Sequence, residues 1–256
     1  MLKPDSRTEG VAPLDVNGRS YRWPDQPVVV ICFDNFDPAC VDARSRPGKV
    51  PTLDGRGREG FRATDLAVMP TCTNRNDVSI VCGAPPSVHG VSGNCDIDRR
   101  TGREIMMVGA EPMRADTNLG RFSQEGADLV AMTAKVASQL WAREIFAGPG
   151  LATIGQTESR VLAVFLSMAA DEGVNDFGVP GRSHSAMPLA GEADRLGCGQ
   201  HSGLGDYEQS PVLIIDGPGF APGTATDEPT SLIDIAPTVL CHLGLAPDGM
   251  DGRALS

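Results

Sequence analysis

At 256 residues the chain is long enough to bury a sizeable core within one domain. Hydrophobic residues make up 41% and charged residues 21%, a balance that excludes fibrous, low-complexity and wholly disordered classes. The formal net charge of −11 repels polyanions, so a nucleic acid is not the expected partner.

Seven cysteines, at positions 32, 40, 72, 82, 95, 198 and 241, form no Cys-x-x-Cys pair and leave an odd count. That pattern predicts reduced thiols rather than a disulfide or zinc-finger framework. The first twenty residues, "MLKPDSRTEGVAPLDVNGRS", carry no apolar run, and no stretch approaches the length of a membrane span. A cytoplasmic protein without a membrane partner is the expectation.

The first strong element is "PVVVICFD", whose apolar run from Val28 to Phe33 predicts a buried central strand with Asp34 at its carboxyl end. Next, Asn74 to Val81 predicts a short helix, with Thr73 just ahead of it. The Thr73 hydroxyl would face free amides and the positive end of the helix dipole, a setting that favours an anion; a plain N-cap role is the alternative. The Pro/Gly-rich segment Gly83 to Gly93 predicts a rigid turn that brings Asn94 back toward Thr73, against the alternative of an ordinary surface loop. Asp96 to Met107 reads as a hairpin turning at Thr101 and Gly102.

Further along, Ala127 to Lys135 predicts a strand, Val136 to Phe146 a helix, Ser159 to Gly173 a strand containing Asp171, and Ser210 to Gly219 a fourth strand. Ser231 to Leu243 predicts a helix capped by Thr230 or Ser231, kinked at Pro237 and stopped by Gly244. Alternating strands and helices imply an α/β layered fold with ligands at the carboxyl ends of the strands, where Asp34, Lys135 and Asp171 would lie. No internal repeat is visible, and "FAGPGLATIG" and "FGVPGRSH" read as loops, so one domain over residues 1–256 is expected.

Asp34, Asp171 and His201 supply oxygen and nitrogen donors of the kind zinc accepts, and a threonine oxygen on such a metal becomes a nucleophile near neutral pH. Taken singly, each has an ordinary alternative: Asp34 as a helix cap, Asp171 closing a turn, His201 in a surface loop. His184 is a further candidate donor against a solvated alternative; His89 reads as structural, His242 as core or partly exposed, and Asp96, Asp98 and Asp176 as a solvated face.

In their order along the chain, "VNGRSYRWPDQPVVVICFDNFDP", "PTCTNRNDVSIVCGAPPSVHGVSGN", "DRRTGREIMM" and "GADLVAMTAK" resemble the amino-terminal half of phosphonoacetate hydrolases of the alkaline phosphatase superfamily. "QHSGLGDYEQSPVLIIDGPGF" and "SLIDIAPTVLCHLGLAPDGMDGRAL" are similar to that superfamily's carboxyl end. The resemblance is strongest over 16–145 and 196–255, with 146–195 shortened. It implies an alkaline-phosphatase-like layered α/β fold, a mostly parallel central sheet flanked by helices, and a cap subdomain largely missing.

In function it implies a metal-dependent hydrolase of phosphonate metabolism that cleaves the carbon–phosphorus bond of phosphonoacetate to acetate and phosphate. Carried over by motif, Thr73 is the nucleophile, Asn94 donates to a phosphoryl oxygen, Lys135 contacts the small anionic substrate, Asp34 and Thr73 share one zinc, and His201 serves the second. The family's Asp-x-x-x-His motif has no counterpart here. Glu172 stands in "AADEGVND" where the family has histidine, Asn35 where it has glycine, and Ala137 where it has a second lysine.

One metal thus keeps Asp34, Thr73 and Asp171, with Glu172 as a candidate oxygen replacement for the histidine, and the other keeps only His201. An oxygen-rich set leans toward manganese or magnesium. Where the family holds two zinc ions, the expectation here is one divalent metal, zinc or manganese, or none. Two functional readings stay open, the hydrolase and a shortened non-catalytic paralogue that binds one metal or a small anion. Self-association as a homodimer is a third expectation, since a shortened sheet exposes apolar surface.

Overall fold

A computed structural model describes residues 14–16, 19–21, 28–33, 50–69, 71–91, 93–98, 101, 103–106, 133–156, 164–174, 176, 178–184 and 203–256, with backbone alone at 14–16, 19–21, 95–98, 103–106 and 206. Strands β1 (Leu14–Val16) and β2 (Arg19–Tyr21) pair antiparallel. Val28 to Phe33, expected as a buried central strand, forms no strand, and Val29 and Ile31 are 76% and 68% exposed. An apolar run specifies a buried strand only when sheet neighbours cover it, and here no ladder is made with any described strand.

Helix α1 (Pro51–Glu59) opens on a proline, which has no amide hydrogen to leave unsatisfied there. It carries Asp54 in its first turn and Arg56 and Arg58 in its last, both favourable on the helix dipole. Arg56 forms an ion pair with Asp216. The chain then enters β3 (Phe61–Leu66), where alternation puts Phe61, Ala63 and Asp65 inward.

Helix α2 (Thr73–Cys82) follows, ending on Gly83 in the left-handed region at φ +62°, and the short helix α3 (Pro86–His89) comes next. Strands β4 (Cys95–Asp98) and β5 (Arg103–Met106) form the expected antiparallel hairpin.

Residues 133–137 are helical, so Thr133 to Lys135 do not form the expected strand, whereas 127–132 lie outside the described residues. The helix expected over Val136 to Phe146 stops early. Ser138 Oγ and Gln139 Nε2 donate to the Lys135 carbonyl (2.7 and 3.2 Å), and Ala142–Ala147 becomes strand β6. It pairs antiparallel with β7 (Val164–Met168), bringing Phe146 and Phe165 to a ring separation of 6.1 Å. Between them a 3-10 segment, Gly148–Ile154, buries Leu151 completely. Leu151, Ile154 and Phe165, with Met69, Phe146 and Leu204 packed around them, make a hydrophobic core.

The expected long strand Ser159 to Gly173 is divided at Ala169 into β7 and β8 (Ala170–Val174); 159–163 lie outside the described residues. β8 pairs antiparallel with β9 (Pro180–Ser183), and α4 (Asp206–Gln209) leads into β10 (Val212–Ile215). β11 (Ala225–Ser231), a 3-10 turn at Leu232–Asp234 and α5 (Ile235–His242) follow. Pro237 falls in the first turn of α5, where a missing amide hydrogen costs little, and Asp234 Oδ2 accepts the Ser231 amide at 3.0 Å in the capping box of the 3-10 turn before it.

The structure is α/β with mixed sheets and helices. The mostly parallel central sheet expected from the sequence is not formed among the described residues: β3 lies between β10, antiparallel, and β11, parallel, and the other pairings are antiparallel. No helix among the described residues is long and apolar enough to cross a membrane.

At the centre of this sheet Asp65 is fully buried, opposite Thr230 in the register, and both carboxylate oxygens lack a hydrogen-bond donor among the described residues. The Thr230 hydroxyl gives its hydrogen to the Thr64 carbonyl (3.5 Å) instead. Burial pushes the Asp65 carboxyl up to about 6, the Asp234 charge adds to the rise, and the polar groups of Thr230 and Leu66 nearby, short of hydrogen-bond geometry, only moderate it.

Candidate functional site

The loop entering α2 is fixed on three sides. Asn76 Oδ1 accepts the Val68 amide (3.0 Å), while its Nδ2 donates to the Val68 carbonyl (3.3 Å) and the Cys72 carbonyl (3.1 Å). Gln156 Nε2 donates to the Met69 carbonyl, and the Ala67 amide donates to the Gln209 carbonyl (3.0 Å). Thr73, half-buried, is the first residue of α2, with extended Cys72 as N-cap. Its hydroxyl therefore stands among the amides of a helix start, which have no acceptor within the helix and stabilise a negative charge.

Asn94 returns to this point. Its Oδ1 accepts the Asn74 amide at 3.1 Å and its carbonyl accepts Asn74 Nδ2 at 3.4 Å. The carbonyl end of the amide is thereby committed to the helix, and Nδ2 remains the donor without a partner among the described residues. The turn that delivers Asn94 is held by His89, whose Nδ1 accepts the Val91 amide (3.1 Å), so that Nε2 carries the hydrogen donated to Ser79 Oγ (2.9 Å). Burial, and then the Arg75 charge, lower the His89 pKa to about 4. The imidazole is a neutral structural clasp, as its sequence context suggested.

The structure thus brings together Thr73, Asn74 and Asn94. Lys135 is exposed on the helical segment 133–137, and among the described residues its hydrogen bonds run through its backbone carbonyl to Ser138 and Gln139. Asp34 and His201 lie outside the described residues.

Asp171 sits on β8, opposite Arg182 of β9, with both oxygens engaged. Oδ1 accepts Arg182 Nε (3.0 Å) and the Gly173 amide (2.6 Å), and Oδ2 accepts Arg182 Nη2 (3.1 Å). A β-carbon at Gly173 would collide with the guanidinium, so glycine there permits the fork to lie flat. The Arg182 hydrogen bonds, then the Gly173 amide, then the Arg182 and His184 charges, hold Asp171 below the usual carboxylate range. Glu172 is exposed beside it, and His242 is exposed at the end of α5.

Among the described residues no three His, Cys, Asp or Glu side chains gather as a metal set. Both Asp171 oxygens are engaged by Arg182 and the Gly173 amide in this arrangement.

Sequence reasoning missed Asn76 and Gln156, which carry no catalytic chemistry but place Thr73. It also missed Arg75, buried in the first turn of α2. The available signal was its isolation: no other Lys or Arg occurs from residue 71 to 91, and a cation at the positive end of a helix runs against the dipole.

The sequence family described as type I phosphodiesterase / nucleotide pyrophosphatase matches residues 28–164, more than half of the chain. The solved phosphonoacetate hydrolase from Sinorhizobium meliloti 1021 in complex with phosphonoformate is 36% identical over 45% of this chain and 29% of that one, with a TM-score of 0.31. The same enzyme in complex with phosphonoacetate gives 35% identity over the same shares and a TM-score of 0.32. The match thus spans less than a third of the length of those solved proteins.

Proposed function

Because the chain belongs to the type I phosphodiesterase / nucleotide pyrophosphatase family, we propose that it is a hydrolase of small phosphorus-containing anions, with Thr73 as nucleophile and phosphonoacetate as substrate. The observation that carries this reading is the clasp between Asn94 and Asn74, which sets a carboxamide donor beside a threonine at a helix start.

In this proposal the anion rests at the first turn of α2, and Asn94 Nδ2 donates to a non-bridging oxygen on which charge grows during attack by Thr73 Oγ. The carbon–phosphorus bond then breaks, the departing acetate carbon takes up a proton, and water releases phosphate from the threonine. Lys135 is assigned to the substrate carboxylate by motif, Asp34 is proposed as a donor, with Thr73, for one divalent cation, and His201 as the remaining donor of the second site.

The engagement of Asp171 by Arg182 favours a second reading, a non-catalytic paralogue that binds a small anion without a full metal set. Phosphate release from phosphonoacetate by metal-stripped protein, with zinc or manganese added back and bound metal counted, separates the two. Release that Thr73→Ala abolishes is the expected result. Release that survives Thr73→Ala sinks the nucleophile, and no release under any metal leaves the non-catalytic reading.

A further inference from the structure

Arg75 is the third residue of α2 and only 3% exposed, and its Nε and Nη1 donors meet no hydrogen-bond acceptor among the described residues. A buried charged donor left unpartnered is a costly arrangement, and buried charges are as a rule paired. Its position adds to the cost, since a cation in the first turn opposes the helix dipole.

The guanidinium is turned back toward the helix mouth, where it hydrogen-bonds Cys72, the N-cap residue directly before Thr73. Its charge also reaches His89, and helps to keep that imidazole neutral, so His89 supplies no counter-charge. Arg75 thus shares the first turn of α2 with Thr73 and with Asn74, to which Asn94 is clasped, and its two unpartnered donors call for an acceptor.

We propose that Arg75 is the anion-binding residue of the Thr73 site, its Nε–H and Nη1–H groups donating to two oxygens of a phosphoryl or phosphonate group held at the N-terminus of α2. The inference rests on the reading of Thr73 as the centre of a phosphoryl site and adds a guanidinium for the phosphoryl oxygens to the cations of that reading. A planar guanidinium suits this task, because two parallel N–H donors match two oxygens on one phosphorus, which an ammonium cannot do.

The test is binding rather than turnover. Inorganic phosphate is titrated calorimetrically, and its effect on melting temperature is measured, for wild type, Arg75→Met, Arg75→Lys and Thr73→Ala at constant ionic strength. Wild type should bind phosphate and melt higher with it. Without phosphate, Arg75→Met should melt above wild type, since the unpartnered charge is gone; with phosphate its shift should vanish and its affinity fall at least tenfold.

Arg75→Lys, which keeps the charge but not the fork, should bind at least threefold more weakly than wild type, and it decides the matter if Arg75→Met fails to fold. Wild-type affinity in either variant, or no phosphate binding by wild type, overturns the inference. Affinity that depends on Arg75 with no turnover in any protein leaves the inference standing and sinks the hydrolase reading. Turnover lost only in Thr73→Ala, with phosphate affinity unchanged in the Arg75 variants, does the reverse.

Discussion

The Asn94 side-chain carbonyl accepts the backbone amide of Asn74 at 3.1 Å, across 20 positions of sequence, and this single bond decides which end of the Asn94 amide is left for a ligand. Asn94→Ala and Asn94→Asp should therefore differ in kind. Alanine loses the clasp and the donor together, with turnover falling about 10²-fold and stability by roughly 1 kcal/mol. Aspartate keeps an acceptor for the Asn74 amide but sets a negative charge where the substrate oxygen goes, so stability should hold while phosphate affinity collapses. Equal melting temperatures and equal affinities for the two variants would show that Asn94 faces no ligand.

Asn76 makes three hydrogen bonds that tie Val68 and Cys72 to α2, two of them to the Val68 backbone. Asn76→Ala strands those backbone groups in a buried setting and should cost roughly 2–4 kcal/mol in urea unfolding. Because the same bonds position Thr73, turnover should drop beyond what stability explains. A loss under about 0.5 kcal/mol, within the range of an ordinary surface change, would mean that the loop is held by Gln156 and Gln209 alone.

Asp65 predicts a pH dependence with a definite sign. Its folded pKa of about 6 lies above the ordinary 3.8, so the folded state holds the proton more tightly than the unfolded chain does. That contribution is complete below pH 3.8 and is lost as pH rises through 6. Asp65→Asn, which cannot ionise, should therefore stabilise the protein above pH 6 by roughly 3 kcal/mol at most and change little near pH 4. Thermal unfolding of both proteins across that window reads it directly; a constant difference at all pH values would place the effect in packing.

Arg182 gives the metal question a handle. Removing it in Arg182→Ala frees Asp171 Oδ2 and leaves Oδ1 with the Gly173 amide alone, and zinc or manganese bound per chain should rise in equilibrium dialysis. Both side chains are largely exposed, so the melting temperature at high salt should not move. Unchanged metal binding would show that Asp171 has no further donors within reach of a shared ion.

What was legible in the sequence was local. α2 falls within one residue of the expected span, because Gly83 supplies a left-handed stop and the polar stretch before it a start. The hairpin at residues 95–106 and the strand Val212–Ile215 were likewise marked by their own turns and apolar runs. What was not legible depends on distant partners. Ala142–Ala147 has a composition that suits a helix, yet it is a strand because Val164–Met168 pairs with it. Asp171 has the placement of a ligand, but its geometry is set by Arg182 across a hairpin and by a glycine that makes room for the fork. At the candidate site the chemistry-bearing Thr73 and Asn94 could be named, whereas Asn76 and Gln156, which merely position them, leave no pattern in a single chain.

The arrangement of β3 also sets a timetable for synthesis. Both of its neighbours, β10 and β11, lie at residues 212–231, and the carbonyl of Gly83 at the end of α2 accepts amides from Asp251 and Gly252. At about 5–20 residues per second, β3 leaves the ribosome roughly 7–30 s before its first partner exists. Through that interval Phe61 and Ala63 have no sheet to enter and Asp65 is wet and ionised. The emerging chain should engage general chaperones strongly, and slowing translation near residue 212 should lower the yield of folded protein more than slowing it near residue 95.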